Sequence, residues 1–218
     1  DLAALSPLLW VLGAAMLLTF IIGELTSNNS QLDKLWSVLP IIYAWIVTYY
    51  GDFSTRLVVM SILVTIWGIR LSVNFGLKGA YQWKFWEGEE DYRWKYLRGQ
   101  KEFQPKWKWS LFNFGFICGY QNILIFLFTM PIMIALQFNT EPFGFLDIIF
   151  TILLFFFILY ETIADIQQFR FQTAKYALLN NGIPLDEKHS KGFLDRGLWK
   201  YSRHPNYFAE QAIWICFY

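Results

Sequence analysis

The stretch Phe145-Leu146-Asp147-Ile148-Ile149-Phe150-Thr151-Ile152-Leu153-Leu154-Phe155-Phe156-Phe157-Ile158-Leu159-Tyr160-Glu161-Thr162-Ile163-Ala164 decides the fold. A helix needs about 20 mainly apolar residues to cross the hydrocarbon core of a bilayer. Leu5–Leu25, Leu57–Leu77 and Leu111–Gln137 have the same length and character. A fifth stretch, Leu35–Tyr50, is shorter and contains Pro40, but its density of Ile, Val, Trp and Tyr reads as a span. A sixth begins at Tyr207 and is cut off at Tyr218. The first stretch lacks the basic leader and cleavage site of a signal peptide, so it also reads as a span. The expected fold is all-α: a polytopic transmembrane helix bundle of five spans and the start of a sixth, forming one domain over 1–218.

Composition agrees. Of 218 residues 56% are hydrophobic, 21% aromatic and only 16% charged, against about 25% charged in soluble domains. A net charge of +1 gives no electrostatic case for nucleic acid. Cys118 and Cys216 both sit in apolar runs and read as buried small hydrophobes. No disulfide framework or CxxC zinc pattern is present.

Of the 18 Lys and Arg residues, 15 fall in Lys78–Lys108 and Arg170–Arg203. The positive-inside rule places both segments in the cytoplasm and the N-terminus on the opposite side. The membrane would be the endoplasmic reticulum in a eukaryote or the inner membrane in a bacterium. The Trp- and Tyr-rich Tyr81–Trp109 suits amphipathic pieces lying at the interface.

Ionisable groups inside a membrane are costly and face a cavity or one another. Arg70, near the end of its span, either snorkels to the headgroups or lines a pocket. Glu161, Asp165, Gln168 and Gln172 recur at i, i+4, i+7 and i+11, one helical face. That face is either a solvated helix extension or a wall around a ligand; Arg170 lies off it. Gly88-Glu89-Glu90-Asp91-Tyr92-Arg93-Trp94 is either a solvated acidic face or a lid whose Tyr92 and Arg93 close over a ligand. His189, in a Lys- and Asp-rich loop, reads as solvated.

The densest polar cluster is Gly197-Leu198-Trp199-Lys200-Tyr201-Ser202-Arg203-His204-Pro205-Asn206-Tyr207-Phe208-Ala209-Glu210. Pro205 suits the first position of a helix. Arg203 and His204 would then flank open N–H groups, an anion site. Asn206 and Glu210, four apart, would share a face. No GxGxxG, Walker loop or HExxH occurs, so a dinucleotide would not be held by a Rossmann unit.

With Trp67-Gly68-x-Arg70-Leu71, Glu90-Asp91-Tyr92-Arg93-Trp94 and Glu161-x-x-Ala164-Asp165-x-Gln167, the cluster Arg203-His204-Pro205-Asn206-Tyr207-Phe208-x-Glu210 resembles the steroid 5α-reductase-like membrane proteins. The nearest resemblance is to the branch catalogued as DUF1295. The resemblance implies a bundle of about seven spans holding NADPH in a cytoplasm-facing cavity. It implies hydride transfer to an electron-poor C=C bond of a lipid or sterol. By position, Asp165, Arg203, His204, Asn206 and Tyr207 would contact the cofactor, while Glu210 and Arg70 would line the same cavity. Glu210 or Tyr207 would supply the proton or hydrogen bond at the substrate carbonyl. Ala209 stands where the family motif has Gly, and family members continue into a last span and a Tyr-rich tail.

Two other readings compete. Isoprenylcysteine and lipid methyltransferases, which use S-adenosylmethionine, also carry Arg-His-Pro-x-Tyr before a membrane helix. A non-catalytic, reductase-like subunit of a larger membrane assembly would use its aromatic residues for helix and lipid contacts.

Overall fold

The computed structural model of the chain describes residues 2–84 and 86–218, and at residue 2 the backbone alone. Every regular element among the described residues is helical. The chain divides into two compact units, Asp1–Gly144 and Phe145–Tyr218.

The first unit begins with α1 (Leu2–Thr26), α2 (Gln31–Leu35), α3 (Leu39–Tyr50) and α4 (Thr55–Leu77). A polar segment follows, carrying α5 (Tyr92–Arg98) and a 3-10 turn at Lys101–Phe103. Then α6 (Lys106–Phe112), a π-helix over Asn113–Tyr120, α7 (Gln121–Thr129) and α8 (Pro131–Leu136) make one long run. In this unit α1, α4 and the Lys106–Leu136 run are long and apolar enough to cross a membrane. The expected Leu35–Tyr50 span is shorter than its sequence suggested. Pro40 sits in the first turn of α3, which has 12 residues. At 1.5 Å per residue it rises only about 18 Å.

Several polar side chains inside this unit pair with one another. Thr48 Oγ1 and Ser61 Oγ lie 2.7 Å apart, and Trp45 Nε1 donates to Thr65 Oγ1 at 2.9 Å. Ser37 and Ser72 hydroxyls meet at 2.7 Å. Such bonds between hydroxyls stitch α4 to α3 and the turn before it, as small polar residues do in membrane bundles. Gly68 permits the approach. A Cβ there would lie 2.5 Å from the Ser37 carbonyl oxygen.

The segment between α1 and α3 is tied to the acidic cluster before α5. Glu90, 4% exposed, accepts from the Asn29 amide at 2.7 Å and pairs with Arg98. Asn28 Nδ2 donates to the Gly88 carbonyl, Lys34 Nζ to the Glu87 carbonyl, and the Asp91 amide to Ser30 Oγ. This cluster is therefore largely an internal clamp rather than a solvated face.

The second unit holds α9 (Phe145–Asn180), α10 (Glu187–Ser190), a 3-10 turn at Gly197–Lys200 and α11 (Pro205–Phe217). With 36 residues, α9 is about 54 Å long, beyond the roughly 30 Å of a bilayer core. It qualifies as the fourth spanning helix, with a polar extension. The expected sixth span is the 13-residue α11. Pro205, Ala209, Ile213 and Phe217, one per turn, bury one stripe of α11, which packs on α9. The facing stripe of α9 includes Leu154, Ile158, Glu161 and Ala164. Leu146, Ile152, Phe156 and Ile163 of α9 point outward, as an apolar face turned to lipid requires.

Candidate functional site

The site is built where α11 begins. His204 takes the N-cap position with Pro205 as the first helical residue, and no side chain caps the open N–H groups. Pro fits there because its absent N–H would have had no partner within the helix. One helical position on, Asn206 Nδ2 donates to Asp165 Oδ1 at 3.1 Å. The polar stripe of α9 and the motif of α11 thus meet at that bond.

The turn preceding α11 is fixed to α9 by two further bonds. The Leu198 amide donates to Gln167 Oε1 and Trp199 Nε1 donates to the Ala164 carbonyl, both at 3.0 Å. Gly197 enters the turn at φ 62°, where a side chain is strained. A Cβ there would also lie 2.5 Å from Gln167 Oε1.

Glu210 shares the Asn206 face, one turn along, and its Oε1 accepts from Trp214 Nε1 at 2.9 Å. Tyr207 is exposed, beside Phe208, whose ring meets those of Phe157 and Tyr160. Arg203 and His204 are also exposed, with the His204 ring 6.5 Å from that of Trp199. Arg70 belongs to the other unit, half-buried on α4. Ala209 is fully buried in the stripe that packs on α9.

A cavity of about 370 Å³ opens beside the anchored turn, lined by Gln167, Arg170, Phe171, Lys188, His189, Asp195, Arg196 and Gly197, among others. Of these, the sequence motifs include Gln167 and Gly197, but Lys188 and Arg196 were not singled out. Arg170 was set aside because it lies off the Glu161 stripe, yet it lines this cavity. His189 is not simply solvated: it stacks on Phe171 at 4.9 Å and pairs through Nδ1 with Asp186. That bond holds the Asp186 carboxyl below the usual aspartate range. Lys175 Nζ closes the loop on the Gly192 carbonyl at 3.0 Å. The available signal was the concentration of Lys and Arg between 170 and 203; the fold of the loop that gathers them was not in any local pattern.

Chemically, this unit offers cationic side chains around a cavity, a helix start without a side-chain cap and an amide–carboxylate pair. The cations and N–H groups suit a ligand bearing phosphates. Asp165 and Asn206 suit hydroxyl or amide groups. Among the described residues there is no group of three or more His, Cys, Asp and Glu able to hold a metal ion.

The model of one protein family, "Protein of unknown function (DUF1295)", matches residues 19–218. The chain is 36% identical to the "Uncharacterized protein C594.04c" of Schizosaccharomyces pombe, over 93% of this chain and 62% of that protein. It therefore spans less than two thirds of that relative's length. No solved structure gives a significant match.

Proposed function

The chain belongs to the DUF1295 family, and from that premise we propose that it is an integral-membrane, NADPH-dependent reductase of a lipid or sterol C=C bond. The observation that carries this reading is the Asp165–Asn206 bond beside the Arg170, Lys188 and Arg196 cavity. It combines hydrogen-bonding groups for a nicotinamide or ribose with cations for phosphates. A methyl donor such as S-adenosylmethionine has no phosphate, and its single carboxylate would match fewer of those cations.

NADPH, when bound, supplies the hydride. Arg170, Lys188 and Arg196 would hold its phosphates, and Arg203 would add charge at the start of α11. Asp165 and Asn206, already fixing each other, would orient the polar groups next to the reactive ring. The substrate carbonyl oxygen needs a donor as charge develops on it. Tyr207 suits that role better than Glu210: a phenol hydroxyl donates, whereas an ionised carboxylate only accepts. Glu210 also already accepts from Trp214. The apolar outward face of α9 suits a substrate arriving from the bilayer.

The test is equilibrium binding of NADPH, NADH and S-adenosylmethionine to the purified protein. Saturable NADPH binding, lost in Asn206→Leu and weakened about tenfold or more in Arg170→Gln, supports the reading. Preference for S-adenosylmethionine, or no binding of any nucleotide, overturns it. Incubation of a lipid extract with NADPH then identifies the substrate as the lipid class that gains two hydrogens.

A further inference from the structure

A second cavity, in the first unit, has no part in the cofactor reading. It has a volume of about 270 Å³ and is lined by Glu24, Arg98 and Lys106 together with Gly23, Ser27 and Trp109, among others. It lies where the apolar run of α1 ends and that of α6 begins, at the boundary between membrane helices and the Lys- and Arg-rich segment.

Arg98, in this lining, has a buried donor without a hydrogen-bond partner among the described residues, Nε, and so has Asn29 behind the lining, Nδ2. Neither arises from a misplaced group. Arg98 spends its other nitrogens on the Ser27 carbonyl, Asn29 Oδ1 and Glu90, and its guanidinium lies 5.1 Å from the Trp109 ring centre. Asn29 is 3% exposed, and its oxygen is fixed by the 2.8 Å bond from Arg98 Nη2, so its nitrogen must face the other way. That nitrogen lies 3.2 Å from where a Gly23 Cβ would be. Gly23 belongs to the cavity wall, so this buried donor lies close behind that wall. A buried donor left unpaired is costly, and an acceptor that reaches it from the cavity removes that cost.

Charge defines the acceptor. Arg98 and Lys106 are opposed by Glu24, which accepts from Ser110 Oγ and Asn113 Nδ2 at 2.8 Å, and by Glu90. With two acids set against two cations, the site has no surplus charge to match a polyphosphate, so its acceptor carries at most a single charge. The volume admits a headgroup but not acyl chains, and Leu18, Ile21 and Leu25 on the same helix are exposed for those. Basic pockets between membrane helices hold lipid headgroups in this way. We propose that this cavity is a binding site for the phosphodiester headgroup of a membrane phospholipid, with its tails along α1.

The test titrates the intact chain, purified in maltoside detergent, with dioctanoylphosphatidylglycerol, dioctanoylglycerol and inorganic phosphate, each followed by calorimetry. The phospholipid is expected to bind saturably and the phosphate-free glycerolipid not to bind. Lys106 is exposed, so Lys106→Gln should leave the fold intact while weakening phospholipid binding about tenfold, the worth of one charge-assisted hydrogen bond. Lys101→Gln removes the same charge from a residue outside the cavity lining and should change nothing. Absence of saturable binding, or equal loss in both variants, overturns the site. Inorganic phosphate binding as tightly as the phospholipid, and equally dependent on Lys106, overturns the lipid as source and leaves free phosphate as the ligand.

Discussion

Asn206 Nδ2 sits 3.1 Å from Asp165 Oδ1, joining a residue in the first turn of α11 to one midway along α9. The two are 41 positions apart in sequence. Between them run a 36-residue helix's polar end and a loop held by Gln167, Lys175 and the Asp186–His189 pair. The bond fixes the start of α11 against α9 at the place where the motif's polar groups emerge.

Breaking that bond in one direction and restoring it in the other separates its geometry from its charge. Asn206→Asp sets a second carboxylate against Asp165 and should lower stability by about 1–3 kcal/mol, the range for a disrupted bond to a charged group. Adding Asp165→Asn recreates an amide–carboxylate pair with the roles exchanged. Thermal unfolding in detergent should recover most of the loss in the double variant. NADPH affinity should recover only in part, because the carboxylate has moved from α9 to α11.

Gly197→Ala should loosen the turn before α11. The residue sits at φ 62° and its new Cβ would meet the Gln167 carboxamide, so left-handed strain of about 1 kcal/mol adds to displacement of that side chain. The Leu198 amide, which donates to Gln167 Oε1, is the reporter. Its hydrogen exchange should accelerate in Gly197→Ala and in Gln167→Ala alike, while amides in the apolar half of α9 stay protected.

The helical architecture was legible because apolar runs of about 20 residues have few alternatives in a bilayer. Pro205 was also legible, since one missing N–H and a fixed φ suit the first helical position and little else. For Leu35–Tyr50 the start was read four residues early because hydrophobicity does not reveal where a helix begins; Pro40 marks that start in the first turn of α3. Glu90 misled for the opposite reason. A run of acids looks solvated until the partners arrive, and Asn29 lies 61 positions away while Arg98 comes from the next helix. The Arg170 cavity is of the same kind. Its cations come from α9, α10 and the loop after it, and only the folded loop brings them together.

Glu90→Gln measures the clamp directly. The carboxylate is 4% exposed and binds both Arg98 and the Asn29 amide, while Arg98 itself is 30% exposed. Water reaching the guanidinium screens the pair, so the expected cost is about 2 kcal/mol rather than the full price of a deeply buried ion pair. The loss should appear in melting of the first unit and as faster proteolysis between Tyr81 and Lys101. An unchanged melting curve would return this segment to a solvated surface face.

Lowering the pH should release α5 from its cap. Asp91 accepts from the Arg93 amide at 2.8 Å and from the Arg93 guanidinium, and that side-chain bond holds its carboxyl below the usual aspartate range. A folded value below the unfolded one means a contribution complete above the ordinary aspartate pKa, about 3.9. It is lost as pH falls through the depressed folded value. Asp33, beneath the Trp94 indole, runs the other way: burial raises it, so its contribution is present at low pH and lost as pH rises through its elevated value. Protection of the Arg93 and Trp94 amides against exchange should therefore hold at neutral pH and fall only below about pH 4. Asp91→Asn keeps a good cap but cannot titrate, so it should flatten the acid limb. Asp91→Ala should cost about 1 kcal/mol at every pH above it. An acid limb that persists unchanged in Asp91→Asn would assign the transition to another carboxylate.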